Sequence, residues 1–117
     1  MTSARFGAIP LAAVLTACAA SAASPEPATI DVVMTEYSYG TQLIEAPAGR
    51  PLRLAISNAG KVDHDLVVDD FGVRVLLHPG QSGSATIRSL ASGGAYVVHC
   101  TIPTHRELGM IATLLVR

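Results

Sequence analysis

From Thr29 onward, short runs rich in β-branched residues alternate with Gly, Pro and Asn at intervals of about ten residues. This rhythm excludes most architectures, because a helix needs an apolar stripe recurring every three to four residues and no stretch sustains one. The chain therefore reads as all-β, a sandwich of about seven to eight short strands occupying residues 29–117.

Taken in order, Ile30 to Met34 alternates into a first strand, with Met34 assigned to core packing. Residues 37–42 lead through a Gly-containing turn into a short second strand. Pro47-Ala48-Gly49 turns the chain before Leu52, Leu54 and Ile56, which point one way while Arg53 points the other. Asn58-Ala59-Gly60 precedes a strand opening at His64. Asp69 to Gly72 reads as a turn, Val73 to Leu77 as a strand ending at a Pro79-Gly80 turn, and Ser84 to Arg88 as another strand. Ala95 to Cys100 delivers a cysteine at its end.

Residues 1–17 read as an export signal: Arg5 is basic, Phe6 to Thr16 is apolar, and small residues follow. The apolar run is short and interrupted by Pro10, which argues against a membrane span. Leu15-Thr16-Ala17-Cys18 has the pattern of a bacterial lipobox, making Cys18 the expected lipidation site, with cleavage near Ala20-Ser21-Ala22 as the alternative. Residues 18–28, rich in Ala, Ser and Pro, then form a flexible tether. The net charge of −1 and the absence of a basic patch argue against nucleic acid.

Of the two cysteines, one falls in the leader and only Cys100 lies in the folded domain, so an internal disulfide is impossible there. A lone thiol in an exported protein is prone to oxidation unless it is buried or ligated. Cys100 opens the stretch Cys100-Thr101-Ile102-Pro103-Thr104-His105-Arg106-Glu107-Leu108-Gly109-Met110, which places a thiolate, an imidazole and a thioether in one loop. The best-placed fourth ligand is His64, at a strand end. Two imidazoles, a thiolate and a weak axial thioether suit a blue-copper centre. Pro103 stiffens the loop, and Gly109 permits a tight turn before Met110.

On these residues the chain resembles the cupredoxins, the small blue-copper proteins that include plastocyanin and azurin. The Cys-x4-His-x4-Met order carries the likeness, together with the Asn58-Ala59-Gly60 lead-in to His64. The resemblance implies a Greek-key sandwich binding one type 1 copper through His64, Cys100, His105 and Met110. It also implies a hydrogen bond between Asp65 and Thr101, where the family more often has Asn at the position of Asp65. Asp63 could add a distant backbone carbonyl, as in azurin.

The family further implies an electron carrier rather than an enzyme, since no equatorial position is left open for substrate. His105 would be the electron port within a patch of Ile102, Pro103 and Leu108, with Arg106 and Glu107 setting partner choice by charge. The expectation is a monomeric, extracytoplasmic protein, held to the membrane by an N-terminal lipid and exchanging electrons with redox partners. The alternative is a copper module for storage, delivery or sensing. His78 reads as a solvated turn residue. His99, next to Cys100 on a strand, must face away from the same ion; a second copper site such as adjacent histidines serve in copper nitrite reductases is the minor reading.

Overall fold

A computed structural model of the protein describes residues 2–5, 7–12 and 25–117. The lipobox with Cys18, and most of the tether, lie outside the described residues. Among the described residues, no helix is long and apolar enough to cross a membrane.

Among the described residues, eight strands form two sheets: β1 (Ala28–Met34), β2 (Leu43–Ala46), β3 (Leu52–Asn58), β4 (His64–Val68), β5 (Val73–Leu77), β6 (Ser82–Ile87), β7 (Ala95–His99) and β8 (Ile111–Val116). One sheet has the order β1-β3-β6 and the other the order β2-β8-β7-β4-β5. The strand expected at His64 opens there, and the one read from Val73 to Leu77 has those bounds. The strand read from Ser84 begins two residues earlier, at Ser82, because Ser82 and Gly83 continue the antiparallel ladder opposite Ser57 and Ile56. The turn after β4 is a 3-10 turn over Asp69–Phe71, closed by Gly72 at φ 63°.

Period-2 alternation explains the core. In β3, Leu52, Leu54 and Ile56 are buried while Arg53 is exposed, and β8 repeats the pattern with Ala112, Leu114 and Val116 inward. Each large aliphatic side chain removed from water contributes about 1.5–3 kcal/mol, so the aliphatic inner faces supply the main force holding the sheets together. Strand β4 differs, with all five residues buried. It lies between β5 and β7, so Leu66 and Val68 face the core, while Asp65 and Val67 are covered on the other side.

Two pairings are parallel, β1 with β3 and β2 with β8. Strands β1 and β2 are consecutive but belong to different sheets, so residues 35–42 carry the chain across from one sheet to the other. That crossing starts with a small bridge between Thr35 and Ser38, and it brings Tyr39 into the core. At the N-terminal edge, Arg50 Nε donates to the Glu26 carbonyl at 2.8 Å, holding the chain just before β1.

Candidate metal centre

Three connections meet at one pole of the sandwich: the turn before β4, the loop between β7 and β8, and the crossing between β1 and β2. The turn is built by Asn58, a buried side chain with its hydrogen-bonding groups occupied. Its Nδ2 donates to the Val62 and Leu77 carbonyls, each at 2.9 Å, and its Oδ1 accepts the Gly60 N–H at 2.9 Å. The chain thus enters β4 in one conformation, and alternation turns His64 inward, where it is fully buried.

The loop at residues 100–110 closes on itself through its backbone. Cys100 N–H donates to the Met110 carbonyl at 3.2 Å, and Met110 N–H donates to the His105 carbonyl at 3.1 Å. Leu108 N–H donates to both the Thr104 and the His105 carbonyls. Gly109 takes φ 108°, the freedom needed to turn into Met110. Thr104 takes φ 74°, an unusual conformation for a β-branched residue. Cys100, His105 and Met110 are consequently held by main-chain bonds and are all buried.

This frame brings His64, Cys100 and His105 together, with one donor atom from each lying within 4.8 Å of the others. Cys100 Sγ stands 3.6 Å from His105 Nδ1, and the two imidazole centroids are 4.9 Å apart. Met110 lies in the same closed loop and is wholly buried. Burial raises the Cys100 thiol above its ordinary range, an effect that backbone N–H donors near the sulfur oppose.

Whether these residues fit a copper ion is decided by His64. Its Nδ1 is the one buried side-chain polar atom without a hydrogen-bond partner among the described residues. Such an atom normally costs about 1–3 kcal/mol. Here His64 belongs to the trio with Cys100 and His105, and a metal bound there could satisfy that nitrogen. The soft sulfur and two imidazoles fit one type 1 copper.

The predicted pair around the site is present. Asp65 accepts from the Thr101 N–H at 2.6 Å and also from the Thr101 hydroxyl, joining the residue after His64 to the residue after Cys100. Arg74 donates to Thr101 Oγ1 at 3.1 Å. The Asp63 side chain is paired with His78 at 2.8 Å, and His78 is exposed. His99 faces away from Cys100, as alternation requires, and is held between Asp69 at 2.7 Å and Arg106 at 3.4 Å.

Sequence reading missed two residues of the crossing segment. Tyr37 stands edge-on to both imidazoles, with its ring centroid 4.9 Å from His105 and 6.4 Å from His64. Glu36 Oε1 lies 3.1 Å from His64 Nε2. Hydrogen bonds from the Lys61 N–H and then from His64 hold the Glu36 carboxyl below its ordinary range. No local signal marks either residue, since both precede His64 by more than twenty positions and depend on the crossing between sheets.

Comparison with known proteins agrees with this fold. A family model described as a cupredoxin-like domain matches residues 7–112. No curated protein sequence matches the chain. Among solved structures, the chain is similar to dithionite-reduced auracyanin from the photosynthetic bacterium Roseiflexus castenholzii, at 21% identity over 76% of this chain and 96% of that one, with a TM-score of 0.66. Auracyanin B is 26% identical over 80% and 91%, also at 0.66. Auracyanin A, a "blue" copper protein from the green thermophilic bacterium Chloroflexus aurantiacus, is 18% identical over 79% and 100%, at 0.65. Fold, donor set and family match coincide, and the chain belongs to the cupredoxin-like domain family.

Proposed function

We propose that the protein is an extracytoplasmic type 1 blue-copper protein that carries single electrons between redox partners. The observation that carries this reading is the buried cluster of His64, Cys100 and His105 donor atoms, with His64 Nδ1 otherwise unpartnered. Bound copper would supply one-electron chemistry by alternating between Cu(I) and Cu(II). The chain's own contribution is to hold its donors still. Asn58 fixes the approach to His64, the bonds among Cys100, His105 and Met110 fix the loop, and Asp65 ties Thr101 to β4. A frame that does not rearrange between oxidation states keeps the cost of electron exchange low.

Burial supports carriage of electrons over delivery of copper. Cys100 and Met110 are almost inaccessible, and His105 retains about 7% exposure. That arrangement supports a retained ion, and with it a carrier rather than an enzyme. The similarity to auracyanin A, described as a "blue" copper protein, and to an auracyanin studied in its dithionite-reduced state, supports the same reading. Leu108, 57% exposed beside His105, supports docking of a partner at this pole. The Leu15-Thr16-Ala17-Cys18 sequence supports attachment to the membrane by a lipid on Cys18.

The test is the visible and electron-spin spectrum of the copper-loaded protein, followed by voltammetry. An intense thiolate-to-copper band that disappears in Cys100→Ser, with a reversible one-electron couple, is the expected result. Facile transfer of the ion to a chelator without a reversible couple would instead establish the delivery reading. The mass of the mature N-terminus decides lipidation.

A further inference from the structure

Glu36 lies on the crossing between the sheets, 28 residues before His64, and a single oxygen of its carboxylate gathers three donors. Oε1 accepts from the Lys61 N–H at 2.7 Å, from the Val62 N–H at 3.3 Å and from His64 Nε2 at 3.1 Å. The backbone bonds hold the carboxylate on the turn before β4, so it does not depend on the imidazole for its position. Its side chain is about one-third exposed, whereas that of His64 is fully buried. An exposed ion pair at this spot would contribute little to stability, which makes orientation of the ring the more important effect.

An ionised carboxylate can only accept, so the nitrogen facing it carries the proton. In a neutral imidazole the other nitrogen then keeps its lone pair free. That other nitrogen is Nδ1, the buried atom without a hydrogen-bond partner.

Gly60 makes the approach possible. A Cβ at this position would collide with Glu36 Oε1, and would stand 2.9 Å from His64 Nε2 and 3.1 Å from Asn58 Oδ1. The backbone of Gly60 has no positive φ to explain the glycine, so the space needed by this contact is its structural reason.

We propose that Glu36 is a positioning residue of the metal centre, fixing His64 in the tautomer that presents Nδ1 and, through its negative charge, favouring Cu(II) over Cu(I). The second effect rests on the copper reading above; the first does not. A carboxylate bonded to the far nitrogen makes the ring a stronger donor, and the doubly charged ion gains more from this than the singly charged one.

The experiment uses the wild type, Glu36→Gln, Glu36→Ala and Gly60→Ala. In the metal-free protein, nitrogen-15 imidazole spectra should show His64 as a single tautomer protonated at Nε2, with a mixture in Glu36→Ala. In the copper-loaded protein, Glu36→Gln keeps an acceptor oxygen for the turn but removes the charge. The ratio of Cu(II) to Cu(I) affinity should fall about tenfold, a rise of about 59 mV in potential. Gly60→Ala keeps the carboxylate but displaces it, and should shift the potential the same way. A wild-type His64 protonated at Nδ1, or the same tautomer in Glu36→Ala, would overturn the positioning role. A potential unchanged or lowered in Glu36→Gln, with a normal thiolate band, would overturn the charge effect alone. A wild type without that band overturns the copper reading and the charge effect together, while the metal-free tautomer still decides the positioning role.

Discussion

The Asp65 carboxylate accepts two hydrogen bonds from Thr101, one from its N–H and one from its hydroxyl, so β4 is tied to the second residue of the 100–110 loop. Asp65 is buried. Hydrogen bonds to charged groups contribute about 1.5–3 kcal/mol, and removing the carboxylate takes away the acceptor for both the Thr101 N–H and its hydroxyl. Asp65→Ala should therefore lower the stability of the metal-free protein by about 1.5–3 kcal/mol in urea unfolding. Asp65→Asn should lose less than half as much, since an amide oxygen can still take the Thr101 N–H while its nitrogen donates to the hydroxyl.

Tyr39 controls the response to alkali. Its hydroxyl donates to the Asp65 carbonyl at 2.9 Å, and burial, with smaller effects of Cys100 and Asp65, raises the phenol far above its ordinary value. A folded-state pKa above the unfolded one stabilises the fold fully below the unfolded value of about 10, and that contribution fades as pH rises beyond it. At neutral pH Tyr39→Phe should cost about 0.5–1.5 kcal/mol. The stability difference between wild type and variant should shrink from about pH 10 upward, read from urea midpoints across that range.

Met110 combines two roles that substitution separates. It is fully buried in the core cluster, so Met110→Ala should destabilise the metal-free protein by about 2–5 kcal/mol. Met110→Leu conserves volume and should cost less than about 1.5 kcal/mol. If the thioether is the axial ligand, the Leu variant keeps its blue band but has a raised potential, because Cu(II) loses a weak donor. An unchanged potential would remove Met110 from the ligand set.

Thr104 holds φ 74° on the exposed side of the loop. Left-handed backbone costs an L-residue about 1–2 kcal/mol, and Asn tolerates it better than a β-branched side chain. Thr104→Asn should raise the thermal midpoint of the metal-free protein, with a gain of about 0.5–1 kcal/mol. A lower midpoint would show that the threonine side chain stabilises the loop.

The fold class and the two ends of the metal cluster were legible because each rests on local pattern. Alternation in Leu52, Leu54 and Ile56 marks a half-buried strand, and the spacing from Cys100 to His105 to Met110 marks a ligand loop. The inward turn of His64 and the outward turn of His99 follow from the same period of two. Pairing partners were not legible, because alternation says which face is buried and nothing about which strand lies alongside. The parallel partnership of β2 with β8 joins residues some seventy positions apart, as in Leu43 with Thr113. Glu36 and Tyr37 were missed for the same reason. They reach the histidines only because the chain changes sheets between β1 and β2, and nothing in Thr35-Glu36-Tyr37-Ser38 records that change.

The last strand is also an interior one: β8 lies between β2, near the start of the domain, and β7, which precedes it. A growing polypeptide therefore cannot complete the five-stranded layer until residues 111–116 have been synthesised. Removing residues 111–116 would take out a keystone rather than a margin, and should loosen the layer on both its sides.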